Sequence, residues 1–122
     1  MKLTNNQIYS YAIALNEAFA DSEQKLPIKI NFYLQKNKKT LMALGQDIEE
    51  SRMNIVRSFG EATEDGESYR IPADKISEAQ KEIGDLLALE QEVEIYKVNI
   101  DNLPEDLSLT TAQMEAIMFM VE

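Results

Sequence analysis

Residues 27–59 carry the feature that most restricts how this chain can fold. Apolar side chains recur there every three or four residues, which is the spacing of one helical face. Pro27 suits the first turn of a helix, where its missing N–H is not needed, and Gly60 suits the stop. The sequence predicts a helix of about 32 residues, about 48 Å long, that ends at Phe59. Its stripe is Ile30, Leu34, Asn37, Leu41, Leu44, Ile48, Ser51 and Ile55.

A helix of this length exceeds what one small domain needs. We therefore expect it to pack against another copy of the chain, with Leu41 and Ile48 of the stripe at the interface. Two polar members, Asn37 and Ser51, weaken the stripe as a pure coiled-coil seam. The alternative is that residues 26–30, LPIKI, form a short strand and that the helix begins later.

Two stretches share one helix-start signature, LTNNQI at 3–8 and LTTAQM at 109–114. In each, a threonine N-cap is followed three residues later by a glutamine that reaches back to the N-cap backbone, which is a capping box. Thr4 pairs with Gln7 in the first box, and Thr110 pairs with Gln113 in the second. The first helix then extends towards Phe19 and leaves through residues 20–25.

The second of these helices is strongly apolar, MEAIMFMVE at 114–122. Phe119 and Met120 lie off its predicted core face, and an apolar patch outside a core face is typical of an interface. We expect a second copy of the chain to cover both. The predicted core face, at helical spacing, comprises Met114, Ile117, Met118 and Val121.

The stretch between the long helix and the last helix should supply a third helix and the best strand. A charged loop at 60–68 precedes a short extended piece at 68–72, and the third helix begins near Ala73. Residues 92–100, EVEIYKVNI, are rich in β-branched and aromatic types and predict a strand. Its alternation shifts near Ile95, which indicates a bulge or cover on both faces.

Together these elements predict a single domain, 1–122, of the α+β class. It is mostly helical, with one long central helix, two or three shorter helices and a small β-sheet.

Cysteine and histidine are both absent from the 122 residues. Their absence removes thiolate ligands, the commonest metal ligand and the usual general base at neutral pH. Zinc sites of the normal kind and Ser-His-Asp catalysis are therefore excluded within this chain. Spacing favours no other catalytic arrangement, so we expect a protein that is not an enzyme and that holds no cofactor or metal.

The net charge of −10 is divided unevenly, with seven basic and three acidic residues at 25–57. Clustered cations on a helix suit an anionic ligand such as a nucleotide phosphate. A nearby aromatic ring can stack on a base. The alternative is a solvated helix face with local ion pairs, such as Glu49 with Arg52. The candidate phosphate ligands are Lys36, Lys39, Arg52 and Arg57, with Tyr33 for stacking.

Residues 61–122 carry sixteen acids and four bases. Such a half would repel the phosphates of duplex nucleic acid, so no duplex partner is expected. Its acids would suit a hard cation or a basic protein partner, or they protect a strand edge from aggregation. The groups in question are Glu90, Glu92 and Glu94, followed by Asp101, Glu105 and Asp106.

No stretch approaches the ~20 apolar residues that a membrane span needs. The first residues, MKLTNNQIYS, contain no apolar secretory core and no small-residue cleavage site. The expected location is therefore the cytoplasm, with no membrane partner.

Five segments together resemble an uncharacterised family of small proteins from tailed phages and prophages of Firmicutes. They are KLTNNQIY, LPIKINFYLQKNKKTL, DGESYRIP, LALEQEVEIYKVNI and LTTAQMEAIMFMVE, in this order. The resemblance covers nearly the whole chain but carries no catalytic or binding residues with it. It implies a phage origin, action in the cytoplasm of the infected host, and selection for contact with phage or host components.

The leading functional expectation is a non-enzymatic phage accessory protein that counters host defence. It would form a homo-oligomer, a dimer in the simplest case, and sequester an anionic nucleotide-derived signal in a pocket between subunits. The alternative is an acidic inhibitor or scaffold that binds a host or phage protein, and a role in virion assembly is the third.

Overall fold

The architecture is α+β and mostly helical, as the sequence predicts. The computed structural model describes residues 1–20, 26–64, 66, 68–104 and 107–122. Within these ranges one long helix is accompanied by three shorter ones. The predicted exit from the first helix at 21–25, and the acidic residues Glu105 and Asp106, lie outside the described residues. The helices are α1 (Asn5–Ala18), α2 (Ile28–Phe59), α3 (Ile76–Ala88) and α4 (Thr111–Ile117).

The described residues form two small antiparallel sheets. One joins strands that are distant in sequence, and the other joins strands that follow each other. Strand β1 (Lys2–Thr4) pairs with β4 (Glu90–Glu92), so the start of the chain is held beside the end of α3. Strand β2 (Glu61–Ala62) pairs with β3 (Tyr69–Arg70) in a hairpin at the end of α2. The described chain therefore contains two separate two-stranded sheets where one small sheet was expected.

Helix α2 confirms the predicted bounds, with Pro27 at its N-cap and Gly60 at its C-cap. The alternative of a strand at LPIKI is wrong, since Ile28 to Ile30 are helical. Gly60 has an extended backbone, and a Cβ there would lie 2.7 Å from the carbonyl oxygen of Val56. Glycine is therefore needed because the chain leaves the helix with no room for a side chain.

The core lies between α1, the first two thirds of α2, α4 and the extended segment 93–98. Leu41 is fully buried and Ile48 is 3 % exposed, so both lie inside the core of a single chain. The expectation that they contact a second copy is wrong, because this chain's own elements already cover them. Burial along the predicted stripe stops after Ile48; Ser51 is exposed and Ile55 is only half-buried.

The last helix begins at the predicted capping box but buries a different face. Gln113, Ala116, Ile117 and Met120 are buried, whereas Met114 and Met118 are exposed. Gln113 faces inward because its side chain has two partners: its Oε1 accepts from the Thr110 N–H, and its Nε2 donates to the Ala18 carbonyl at 3.1 Å. That bond closes an open carbonyl at the end of α1 and fixes the rotation of α4.

Phe119 and Met120 are consequently engaged within the chain. Met120 is 1 % exposed, in the 3₁₀ turn Met118–Met120 that follows α4. Phe119 is half-buried and stacks on Tyr11, with ring centroids 4.6 Å apart. The expectation that a second copy covers this pair is wrong for Met120, because the core already covers it. Phe119 packs on α1 but is only half-buried, so a second copy at Phe119 stays a prediction.

The predicted strand at 92–100 is present only at its first residue. Beyond Glu92 the chain is extended, but it changes partner every few residues. The Val93 N–H bonds to the Met1 carbonyl, and the Val98 N–H bonds to the Met120 carbonyl. Between them, the Tyr96 backbone pairs with helix α2. Because the partner changes along the segment, the alternation of apolar side chains shifts near Ile95.

Asn37 on α2 takes the place of a neighbouring strand. Its Oδ1 accepts from the Tyr96 N–H at 2.8 Å, and its Nδ2 donates to the Tyr96 carbonyl at 2.9 Å. A side-chain amide carries one acceptor and one donor group, so it satisfies both backbone groups of one residue. Asn37 is fully buried, and its Nδ2 also lies 3.4 Å from the sulfur of Met120.

We expect Asn37→Leu to lower the free energy of unfolding by about 2–4 kcal/mol, because two partly buried backbone groups of Tyr96 lose their partner. Asn54→Ala, at an exposed position of the same helix, should change it by less than about 0.5 kcal/mol. Urea unfolding of both variants measures the difference. Equal stability of Asn37→Leu and the wild type would contradict this role.

The observed face of α4 is tested by two methionines that are two residues apart. Met120→Ala should lower the free energy of unfolding by about 2–5 kcal/mol, since it leaves a cavity in the core. Met118→Ala should change it little, because Met118 is 59 % exposed. Thermal unfolding followed by circular dichroism compares them, and the opposite order would restore the face that the sequence predicts.

Candidate functional site

A cleft lies where the first turn of α2 meets the extended segment that follows β4. Its volume is about 270 Å³. The helix reaches it with Lys29, Ile30 and Tyr33, and the extended segment is held against the helix by the Asn37–Tyr96 pair four residues further along. The remaining walls are Pro27, Lys97, Val98, Asn99, Asn102 and Glu122.

The cleft combines a helix N-terminus with two ammonium groups. Pro27 is the N-cap of α2, and no side chain among the described residues forms a capping hydrogen bond at this end. The first N–H groups of a helix have no intrahelical partner, and the helix dipole makes that end positive. Lys29 and Lys97 add two cations, and Glu122, the last residue of the structure, adds a side-chain carboxylate and an α-carboxylate that oppose them. The groups in the cleft that would attract a small anion are the helix N-terminus and the two ammonium groups.

Tyr33 is the predicted site residue that the structure places in this cleft. Its ring stacks on that of Tyr96 with centroids 5.3 Å apart, and the Lys29 ammonium lies 5.7 Å from its centroid. The ring is therefore already engaged by a cation and an aromatic neighbour. A base that stacks on Tyr33 must share this surface with Lys29.

The four predicted phosphate ligands do not converge. Lys36 and Arg52 are sixteen residues apart on one continuous helix, which separates them by about 24 Å along its axis. The Lys36 ammonium lies 5.5 Å from the centroid of Phe32. Lys39 lies on the outer side of α2 beside Gln35. These residues cannot form one site within a single chain.

Arg57 and Arg52 lie on the distal part of α2. Arg57 is exposed in the last turn of the helix. Arg52 is held by Glu49 in a two-pronged contact: its Nε lies 3.0 Å from one carboxylate oxygen and its Nη2 lies 2.6 Å from the other. For Arg52, the alternative prediction of a local ion pair with Glu49 is confirmed.

Tyr9 completes this cluster from α1, because its hydroxyl donates to Glu49 Oε2. The hydrogen bond from Arg52, followed by the one from Tyr9, lowers the pKa of Glu49 to about 2. Burial has the largest effect on Tyr9 and raises its pKa, and the hydrogen bond to Glu49, the second cause, raises it further. The hydrogen bond to Glu49 raises the pKa of Arg52 above its ordinary value. The cluster joins α1 to α2, and its arginine is committed to a structural contact.

Sequence reasoning missed Lys97 as a site residue and gave Lys29 too little weight. Lys97 follows Lys29 by 68 positions, and only the fold brings both to the cleft. The signal available for Lys29 was its place two residues after Pro27, at the start of a long helix without a Ser, Thr, Asp or Asn cap. No local signal identifies Lys97.

Two of the acidic residues on β4 are partly neutralised by the chain itself. The Lys2 ammonium lies 3.3 Å from Glu90, and the Met1 amino group lies 3.6 Å from Glu92. Among the described residues, no group of three carboxylates is placed to hold a metal ion. Across the residues that the structure describes, no helix combines the length and apolar character needed to cross a membrane.

Comparison of the chain with protein-family models, with curated proteins and with solved structures finds no match in any of the three.

The lowered pKa of Glu49 has a pH consequence. Its folded pKa, about 2, is below the ordinary value of 4.5, so its ionised form stabilises the fold above pH 4.5, and this stabilisation is lost as the pH falls through 2. Glu49→Gln should lower the free energy of unfolding by less than about 1 kcal/mol at pH 7, as expected for a half-exposed pair.

The deficit of Glu49→Gln should vanish near pH 2, which urea unfolding at pH 7, 3.5 and 2 can follow. Glu50→Gln, at an exposed neighbouring position, is the matched control for the loss of one negative charge from this turn of the helix. A deficit that stays constant from pH 7 to pH 2 would contradict the electrostatic origin.

Proposed function

We propose that this chain is a non-enzymatic binding protein that takes up a small, nucleotide-derived anion in the cleft at the start of α2. The observation that carries the proposal is the meeting of Lys29, Lys97 and the uncapped N-terminus of α2 around one opening. Helix N-termini and lysines are recurrent phosphate-binding groups because they combine N–H donors with positive charge.

The shape of the cleft limits its ligand. Its volume of about 270 Å³ lies just below the ~300–1,000 Å³ of typical small-molecule sites. One phosphate with an attached sugar or base fills such a space, whereas a larger ligand would extend along the surface. A phosphate would face the first N–H groups of α2, and the aromatic pair of Tyr33 and Tyr96 would flank an attached base or sugar.

The biological setting of the proposal comes from the resemblance to a family of phage and prophage proteins. In an infected cell, a protein that binds such a ligand without consuming it would lower the concentration of a nucleotide-derived immune signal. Sequestration of this kind counters host defence by binding alone and takes place in the host cytoplasm.

The acidic-inhibitor alternative has one structural observation in its favour. Glu78, Glu82 and Asp85 of α3 are all exposed. Two acids that the sequence singled out for this role, Glu90 and Glu92, already have cationic partners in the chain. Salt-sensitive capture of a basic host protein, lost on charge reversal of α3, would favour this alternative.

The test of the main proposal is calorimetric titration of the full chain with cyclic nucleotides and ADP-ribose at low salt. The double variant Lys29→Gln/Lys97→Gln should weaken binding by about tenfold or more, since it removes two charge-assisted contacts. The matched control is Lys36→Gln/Lys39→Gln, which changes the net charge equally on the outer side of α2. It should bind nearly as well as the wild type.

The outcomes separate the alternatives clearly. If the control loses more affinity than the cleft variant, the ligand lies on the outer face that the sequence predicts. If the wild type takes up none of these ligands, the proposed function is wrong.

A further inference from the structure

The distal part of the molecule has no buried side chain over a long stretch. Of residues 49–78, none that the structure describes is buried. This stretch includes the end of α2, the β2–β3 hairpin and the first turn of α3. We call residues 51–83 the arm.

The arm is nevertheless rich in apolar side chains. Several of them are half-buried, and none of these packs against the core. At the start of α3, Ile76 is 41 % exposed. An amphipathic helix pair that leaves most of its apolar face partly open is typical of an interaction surface. The half-buried residues are Met53, Ile55, Val56, Phe59, Ile71 and Ile83.

The arm is a folded element with specific contacts. Gly60 lets the hairpin approach α2, since a Cβ there would lie 3.1 Å from the Cβ of Tyr69. The Thr63 N–H bonds to the Ser68 carbonyl at 2.9 Å, and Gly66 takes a positive φ of 71° in the turn. Ala79 is buried on α3. These contacts hold the apolar surface of the arm in a fixed arrangement.

The surface area supports a large covered face. The chain exposes 8374 Å², whereas a compact monomer of 13.9 kDa exposes about 6,700 Å². The excess of about 1,700 Å², taken over the whole chain, is of the size of the ~1,000–2,500 Å² that one subunit of an obligate homodimer buries.

We propose that a second copy of this chain covers the arm, so that two arms pack against each other around a two-fold axis. Charge favours this occupant. On the α2 part of the arm, residues 51–59, Arg57 is exposed and no acid is present, while Arg52 is already paired with Glu49. Helix α3 presents Glu78 and Glu82, with Lys81 between them. A two-fold arrangement brings each cationic segment towards the acidic helix of the other copy. The apolar residues then form the centre of the interface.

This interface is independent of the ligand site. The cleft lies at the first turn of α2, and the arm begins at residue 51, about 33 Å further along the helix than Lys29. Loss of the dimer and loss of ligand binding are therefore separate outcomes.

Light scattering after size exclusion, across a range of concentrations, tests the proposal on the full chain without ligand. The wild type should have twice the 13.9 kDa of one chain. Ile76→Glu should raise the dissociation constant of the dimer by about tenfold or more, because it places a charge in a desolvated interface. Ile28→Glu is the matched control, since Ile28 is also the first residue of a helix and is 89 % exposed. It should remain dimeric.

A second measurement locates the interface directly. The chain has no cysteine, so one cysteine can be introduced for a spin label at exposed Ser58, in the arm, or at exposed Gln35, in the other half of α2. Dipolar spectroscopy should find the pair of labels at position 58 closer together than the pair at position 35. This readout also decides the matter if Ile76→Glu fails to fold.

Two results would overturn the proposal. One is a wild type that stays monomeric at all concentrations. The other is a dimer in which the labels at position 35 are the closer pair, because a different face would then join the copies.

Discussion

The pairing of the Asn37 side chain with the Tyr96 backbone is the contact on which the cleft at the start of α2 depends. It holds an extended segment along a helix, where no second strand is available to satisfy the Tyr96 backbone. Because Tyr96 is fixed, Val98 reaches the Met120 carbonyl and Lys97 reaches the first turn of α2. The cleft is thus a consequence of one buried amide on the long helix.

The same device recurs at two other junctions of the core. Asn5 donates to the Leu86 carbonyl at 2.8 Å and accepts from the Gln91 side chain at 2.7 Å, which joins α1 to α3 and β4. Gln113 joins α4 to the end of α1. A buried amide stabilises only when both of its ends have partners, so each one specifies a single arrangement of the elements around it. With such short strands, the fold relies on these side chains for specificity.

This dependence explains what the sequence could and could not predict. The capping boxes of Thr4 and Thr110 and the bounds of α2 are local features, and they were predicted correctly. The face of α4 and the strand at 92–100 depend on what Gln113 and Asn37 bind, and no local pattern shows that. The same limit applies to the site: Tyr33 was predicted, but its neighbour Lys97 comes from a distant segment. The prediction of an interface at Leu41 and Ile48 failed because an apolar helix stripe has the same sequence spacing whether its own chain or another copy covers it.

Helix α2 divides the molecule into three regions with different physical tasks. Its first turn faces the cleft, its middle is covered by the core, and its last turns carry the arm. The net charge of −10 opposes both the proposed anionic ligand and the proposed second copy, so each would have to be favoured by short-range contacts. In the cleft these would be contacts with the helix N–H groups and two lysines, which suit a compact anion better than the distributed charge of a duplex. In the arm they would be apolar contacts, with Arg57 of α2 offsetting the acids of α3. Screening by salt acts mainly on the long-range repulsion, so added salt should favour association through the arm while it weakens the charge-dependent part of ligand binding.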